Sequence, residues 1–254
     1  MKNFVILVFT IALIFSCNDS TKKTTDPQFI IDKAIEASNK KELINTDISF
    51  KFRDYIYTSE GHCNHFVFYR KKEDSTNSVT DIYEPKHGLK RYINDSLVKI
   101  SDSLSFKYAE SINSVLYFVQ LPYRLNDEAV NKTYLGKEKI KEKTYYKIKV
   151  TFEEEGGGTD YEDNYIYWFN IENYKLDYLA YSFTVNGGGM RFREAYNERY
   201  VDGIRFIDYK NYKPKDDKKI ELKEISRAFK NDEVELLSYI ENENILVKKE
   251  KKKC

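Results

Sequence analysis

The chain reads as a mainly β protein of the α+β class, with a large twisted antiparallel sheet forming an open half-barrel around an N-terminal helix and a mid-chain helix. Three observations predict this. Runs with a period of two recur from Ile48 onward, each closed by turn-forming residues. The connections between them are too short for crossover helices, so neighbouring strands pair antiparallel. Tyr (22) and Phe (16) are abundant while Gly, Pro and Met are scarce, a balance suited to strands with aromatic cross-strand pairs.

The first elements are not part of that sheet. Lys2 is the only charge before an apolar run from Phe4 to Phe15, which ends at Ser16-Cys17. A basic start, a short apolar core and a small residue make residues 1–16 a secretory signal, too short to span a bilayer as a mature helix. Ile14-Phe15-Ser16-Cys17 resembles the lipobox of bacterial lipoproteins, with Phe15 where a smaller residue is usual. That resemblance implies that Cys17 becomes a lipidated N-terminus. Residues 17–26 hold no apolar side chain after Cys17 and read as a flexible tether. A single half-barrel domain is expected over 27–247, followed by a basic tail over 248–254.

At Asp26-Pro27 a capping residue precedes proline at a first helical position. Phe29, Ile30, Ala34, Ile35 and Ala37 then recur at helical spacing, which predicts a helix to about Lys41. Ile48, Phe50 and Phe52 begin the strand pattern. Further strands are expected at His65 to Tyr69, Ser78 to Tyr83, Leu89 to Ile93 and Leu97 to Ile100. The continuous apolar run Val115 to Val119, stopped by Pro122, reads as a buried helix, though periodicity alone leaves a buried strand open.

From Thr144 to Tyr212 the pattern is a meander. Tyr146, Ile148, Val150 and Phe152 share one strand face; a loop carries Gly156, Gly157 and Gly158; strands follow at Asn164 to Ile171 and Leu176 to Val185. A second loop carries Gly187, Gly188 and Gly189, and two strands follow at Met190 to Tyr196 and Ile204 to Tyr212. Counting reversals places both glycine triplets on one rim of the sheet.

Composition narrows the function classes. Charged residues make up 33% of the chain but sum to +1, so there is no long-range field to attract nucleic acid. Only Cys63 and Cys254 accompany Cys17, so no disulfide framework is expected, and the lysine-rich tail argues against fixed geometry for a Cys63 bridge to Cys254. No phosphate-binding glycine loop, zinc helix motif or nucleophile elbow is present. No catalytic residue, cofactor or metal site is assigned, and an enzyme is the least supported class.

The motifs Leu121-Pro122-Tyr123, Tyr145 to Phe152, Tyr167-Trp168, Asp177 to Tyr181 and Gly187 to Ala195 resemble an uncharacterised lipoprotein family of the Bacteroidota. More distantly, the layout resembles periplasmic lipoprotein carriers of the LolA and LolB type, whose open sheet holds acyl chains in an apolar concavity. That resemblance implies a hydrophobic ligand, a lipid or an acyl chain.

Candidate site residues follow from the meander. Arg191 and Arg193 point to one side of their strand just past the second triplet, while Asp160 and Asp163 follow the first. These four would form a polar ligand rim gripping a head group by bidentate arginine contacts, against the commoner reading of surface salt bridges beside wide loops. Trp168, Tyr181, Phe183 and Phe192 are candidates for the cavity or for the core below it. Tyr165, Tyr167 and Phe169 share one face of a strand whose other face carries Ile166 and Trp168, so that strand is covered on both sides. His62-Cys63-Asn64-His65, read as one strand, puts its histidines on opposite faces, unable to share a metal.

The expected function is a cell-envelope protein, anchored by Cys17 on the periplasmic face of the outer membrane, that binds or receives a hydrophobic ligand. The alternative is a non-catalytic scaffold whose concavity is filled by its own helices.

Overall fold

The computed structural model describes residues 25–249 except 64, 159–160, 185–186 and 217. Cys17, Asp160 and Cys254 therefore lie outside the described residues, as does the signal segment.

Helix α1 spans Pro27–Ser38: Asp26 accepts a hydrogen bond from the Gln28 amide, and Asn39 in the left-handed region (φ 53°) ends the helix. The termination comes three residues earlier than the sequence periodicity suggested. Lys40–Asn45 continues as a 3₁₀ turn, which carries Lys40 and Leu43 inward.

The fold is mainly β with open, antiparallel sheets, and the strands divide between two of them. The first sheet runs in the order β14-β1-β2-β3-β4-β5-β6 and the second in the order β13-β12-β11-β10-β9-β8-β7. In chain order the first holds β1 (Thr46–Phe52), β2 (Tyr55–His62), β3 (His65–Glu73), β4 (Ser78–Glu84), β5 (Gly88–Ile93) and β6 (Ser96–Val98), to which β14 (Glu243–Lys249) adds beside β1. The second holds β7 (Val130–Ile140), β8 (Lys143–Phe152), β9 (Asn164–Asn170), β10 (Leu176–Phe183), β11 (Gly189–Val201), β12 (Ile204–Pro214) and β13 (Val234–Ile240). Hairpins join consecutive strands within each sheet, except that β12 reaches β13 through a 3₁₀ turn and a short helix. Between the two sheets the chain passes once through helix α2 (Asp102–Gln120) and once through the short turn from β13 to β14.

Helix α2 lies between the sheets. Ser101 caps it by accepting from the Leu104 amide. Its Ile112 and Leu116 pack with Phe50, Phe68 and Phe206, while Tyr117 and Phe118 turn toward the second sheet. The helix is held to the first sheet by a buried cluster: Asp81 accepts from Arg70 at 2.7 Å and from Arg91 at 2.7 Å, and Arg70 also donates to Ser111 on the helix. The Arg91 guanidinium stacks 3.7 Å from the Tyr108 ring centroid. Among the described residues no helix is long and apolar enough to cross a membrane.

Both faces of the second sheet are covered, which explains the two-sided apolar pattern of β9. On one face Tyr167, Phe169, Ile148 and Leu179 meet Ile30, Ile31, Ala34 and Ile35 of α1. On the other, Ile166, Trp168, Tyr178 and Phe192 pack under a third helix, α3 (Ile225–Lys230). Trp168 and Phe192, candidates for cavity or core, belong to this second core. Side chains alternate along a strand, so a cavity on the α1 face is closed to them.

His62 and His65 are cross-strand partners at the end of the β2–β3 hairpin, because Cys63 takes a turn conformation (φ 51°) and not strand, contrary to the expectation of opposite faces. Cys63 is disulfide-bonded, which corrects the expectation of an unbridged residue; the other two cysteines lie outside the described residues. Its position at a tight turn, with its amide held by Asn45, supplies the fixed geometry on this side that the sequence did not reveal. Among the described residues no group of three or more His, Cys, Asp or Glu is placed to hold a metal ion.

Candidate functional site

A cavity of about 640 Å³ lies between the α1 face of the second sheet, helix α2 and the end of β1. Its size falls within the usual range for small-molecule sites. One wall is Val115, Phe118 and Val119 of α2; the opposite wall is Tyr165, Tyr181 and Phe183 from β9 and β10. Phe118 and Tyr181 face each other with ring centroids 5.6 Å apart, and Tyr165 stacks on Tyr181 at 5.4 Å. Phe52 and Arg53 close one side from β1, while Leu237, Ser238 and Ile240 close another from β13.

The strand register explains this wall. Leu179, Arg193, Asn211 and Ser238 are directly opposite one another across β10, β11, β12 and β13, forming one row on the inner face. Tyr165, Tyr181 and Arg191 form the neighbouring row toward the glycine loops. Both glycine loops lie at that end. Gly187 and Gly188 take positive φ, and a Cβ on Gly157 would meet Glu153 O at 2.1 Å, so these loops need glycine for their shape.

Of the residues singled out from sequence, Asp163, Tyr181, Phe183, Arg191 and Arg193 line this one cavity; Trp168 and Phe192 do not. The two arginines differ. Arg191 is partly exposed, stacks over Phe183 and donates to the Met190 carbonyl. Arg193 is buried, with its guanidinium 3.9 Å from the Phe118 centroid and a 2.9 Å hydrogen bond to Tyr181 Oη. The expected rim is thus a gradient from a mouth at Phe183, Arg191 and Leu237 to a floor at Arg193, Tyr209 and Asn211.

The floor holds four further polar residues that the sequence reading did not mark. Arg205 is occupied by Glu198, Asp177 and the Leu176 carbonyl. Tyr209 and Asn211 extend from β12, and burial raises the Tyr209 hydroxyl pKa to about 12. Lys40 is 2% exposed, donates to the Val119 carbonyl at 2.9 Å and lies over the Phe206 ring. In sequence it is the first of a Lys-Lys pair and looks solvated; only the turn after α1 brings it inside.

The sequence pattern of DUF6503, a family of unknown function, matches residues 1–242. The chain belongs to that family. No curated protein matches this DUF6503 chain. Among solved structures it is similar to a LolA superfamily protein from Nitrosomonas europaea, at 12% identity and TM-score 0.44, covering 84% of this chain and 92% of the other. It is also similar to a DUF1329 family protein from Desulfovibrio piger (11% identity, TM-score 0.43, 87% and 93% covered). A third similar structure is a putative outer membrane lipoprotein-sorting protein domain from Vibrio parahaemolyticus (9% identity, TM-score 0.43, 71% and 84% covered). Likeness at this level carries nothing about ligand or activity.

In this DUF6503 chain the buried lysine makes stability depend on pH. Burial, with Arg205 acting in the same direction, pushes the Lys40 ammonium down to about 7. In the unfolded chain a lysine keeps its proton to about pH 10.4. Between pH 7 and 10 the unfolded state therefore binds more protons, and stability rises with pH across that window. Lys40→Met keeps the length of the side chain and removes this term. Its unfolding free energy relative to wild type should fall by about 1 kcal/mol per pH unit from pH 7 to 9 in urea titrations. A difference that stays constant with pH would show that Lys40 is charged in the folded protein throughout.

Proposed function

We propose that this protein is a cell-envelope lipoprotein, anchored through Cys17 at the periplasmic face of the outer membrane, that holds the hydrocarbon part of a lipid or acyl chain between α2 and the second sheet. The observation that carries this reading is the aromatic-walled cavity of about 640 Å³, bounded by Phe118, Tyr165, Tyr181 and Phe183, beside helices that leave it open. Apolar walls with a few convergent polar groups are the usual make-up of a ligand site. The same cavity disfavours the alternative of a scaffold whose concavity is filled by its own helices. The basic start, short apolar core and Ser16-Cys17 support the anchor, and Lys22-Lys23 with a lone Asp19 support the periplasmic side.

Native mass spectrometry of the full chain carrying Cys17→Ser should reveal copurified lipid-mass adducts, and the protein should bind the fluorescent fatty acid cis-parinaric acid. Ser114→Trp provides the control. Ser114 is an exposed residue of α2 on the cavity wall, so an indole there should block binding while thermal stability is unchanged. Protein that is always ligand-free and fails to bind the probe would overturn the reading.

A further inference from the structure

Among the described residues, three buried polar atoms on the cavity floor have no hydrogen-bond partner: Arg193 Nε, Tyr209 Oη and Asn211 Oδ1. Buried polar atoms nearly always have a partner, so each orphan needs an explanation. These three are gathered on two adjacent strands. Arg193 of β11 stands directly opposite Asn211 of β12, and Tyr209 is two residues from Asn211 on the same face. All three side chains are more than nine-tenths buried, and all line the one cavity.

We infer that the cavity takes a single-chain amphiphile with a carboxylate head, bound head-inward, with the carboxylate on Arg193, Tyr209 and Asn211 and the hydrocarbon chain running toward Phe183 and Leu237. This rests on the ligand-binding reading above and adds the class of ligand and its direction.

Arg193 is the buried cation left to take one negative charge. Five cations and one carboxylate, Asp163, line the cavity; Arg53 is exposed at the end of β1, and three other cations are engaged: Arg205 by Glu198 and Asp177, Lys40 by the Val119 carbonyl, and Arg191 by Met190 O and the Phe183 ring. Among the described residues no carboxylate pairs with Arg193, which lines the cavity and whose Nε, beside the group that donates to Tyr181, has no partner. One guanidinium edge matches the two oxygens of one carboxylate. A phosphate dianion would need donors that this floor has already committed.

The gradient of burial sets the direction. Arg193, Tyr209 and Asn211 are 3–8% exposed, whereas Phe183 is partly exposed and Leu237 is 45% exposed. A head group held at the mouth would leave the orphan donors Arg193 Nε and Tyr209 Oη unserved and would put hydrocarbon against them. A head held at the floor satisfies the donors Arg193 Nε and Tyr209 Oη, and Asn211 as well once its amide turns over so that Nδ2 donates to the head and Oδ1 accepts from Ser238 Oγ, and it lays the chain along Phe118, Tyr181 and Phe183.

The test uses palmitate labelled with ¹³C at the carboxyl carbon, and methyl palmitate, added to the full chain carrying Cys17→Ser. Wild type should bind palmitate at least about tenfold more tightly than methyl palmitate, the scale of one charge-assisted hydrogen bond. Arg193→Met should abolish that preference, so that the acid binds no more tightly than the ester. Tyr209→Phe removes only the orphan hydroxyl, so its melting temperature should match wild type while palmitate binding weakens severalfold. The bound carboxyl resonance should resist broadening by a soluble gadolinium chelate. Equal affinity for acid and ester, insensitivity to both substitutions, or a carboxyl signal broadened by gadolinium would each overturn the head-inward inference and leave the cavity reading standing. Failure of wild type to bind either compound would remove both.

Discussion

Trp168→Ala should lower the unfolding free energy by about 3–5 kcal/mol while leaving ligand uptake by the folded protein intact. Trp168 is fully buried on the α3 face of the second sheet, edge-to-face with Phe192 at 5.7 Å. Its indole N–H donates to Glu138 at 2.9 Å, a carboxylate that also accepts from Ser226 of α3 and from Lys147. Removing the ring opens a void between sheet and helix and strips one donor from a half-buried carboxylate. Urea unfolding followed by tyrosine fluorescence measures the loss. The cavity is on the opposite face, so a variant that stays stable but stops binding would show that the faces are assigned the wrong way round.

Asp81→Ala should cost about 3–5 kcal/mol, because it leaves two arginines facing each other without their shared anion. Asp81 is 1% exposed and Arg70 6%, so solvent does little to screen them. The consequence reaches the cavity. Arg70 and Arg91 hold Ser111 and Tyr108 of α2, and the next turns of that helix carry Val115, Phe118 and Val119. Hydrogen exchange over residues 102–120 should quicken in the variant, and cis-parinaric acid binding should weaken with it. Arg70→Met paired with Asp81→Ala should recover part of the stability, because one uncompensated charge goes with its partner. Exchange in α2 no faster than in wild type would place its anchoring elsewhere.

The interior strands were legible because burial writes itself into a period of two. Ile48, Phe50 and Phe52, or Tyr146, Ile148 and Val150, alternate with polar residues because one face meets a core. Strand β2 escaped because its inward positions include Ser59 and Gly61 beside Tyr57, and no count of apolar residues finds a strand that turns glycine and serine inward. A Cβ at Gly61 would meet Leu43 O at 2.1 Å, so close packing of the 3₁₀ turn requires glycine there. Strands β13 and β14 are sheet edges with most residues exposed, so they carry little burial signal. Helix α2 was visible only in its apolar C-terminal half, since Asp102 to Glu110 is largely polar.

The site was legible in outline only. Arg191 and Arg193 share a strand face by simple alternation, and the hairpin count brings Asp163 and Phe183 to the same end of the sheet. What alternation cannot say is how deep a residue sits. Arg193 is buried because α2 lays Phe118 across it, a contact between segments 75 residues apart in the chain. Tyr209 and Asn211 look like ordinary members of an aromatic strand until the neighbouring strands are known to leave the Tyr209 hydroxyl and Asn211 Oδ1 without a partner among the described residues.

The turn from β13 to β14 joins the two sheets without a ladder between those strands, and Asp208 clamps it by accepting from the Asn242 amide at 2.9 Å and from Arg199. A closed barrel has its bore fixed in steps by strand number and stagger. Here the bore is set by side chains packed across a seam. Its width can therefore drift in small increments, through substitutions at Phe52, Leu237 or Ile240, without disturbing a single strand register. One scaffold of this kind can be retuned to thinner or thicker guests while every backbone hydrogen bond stays in place.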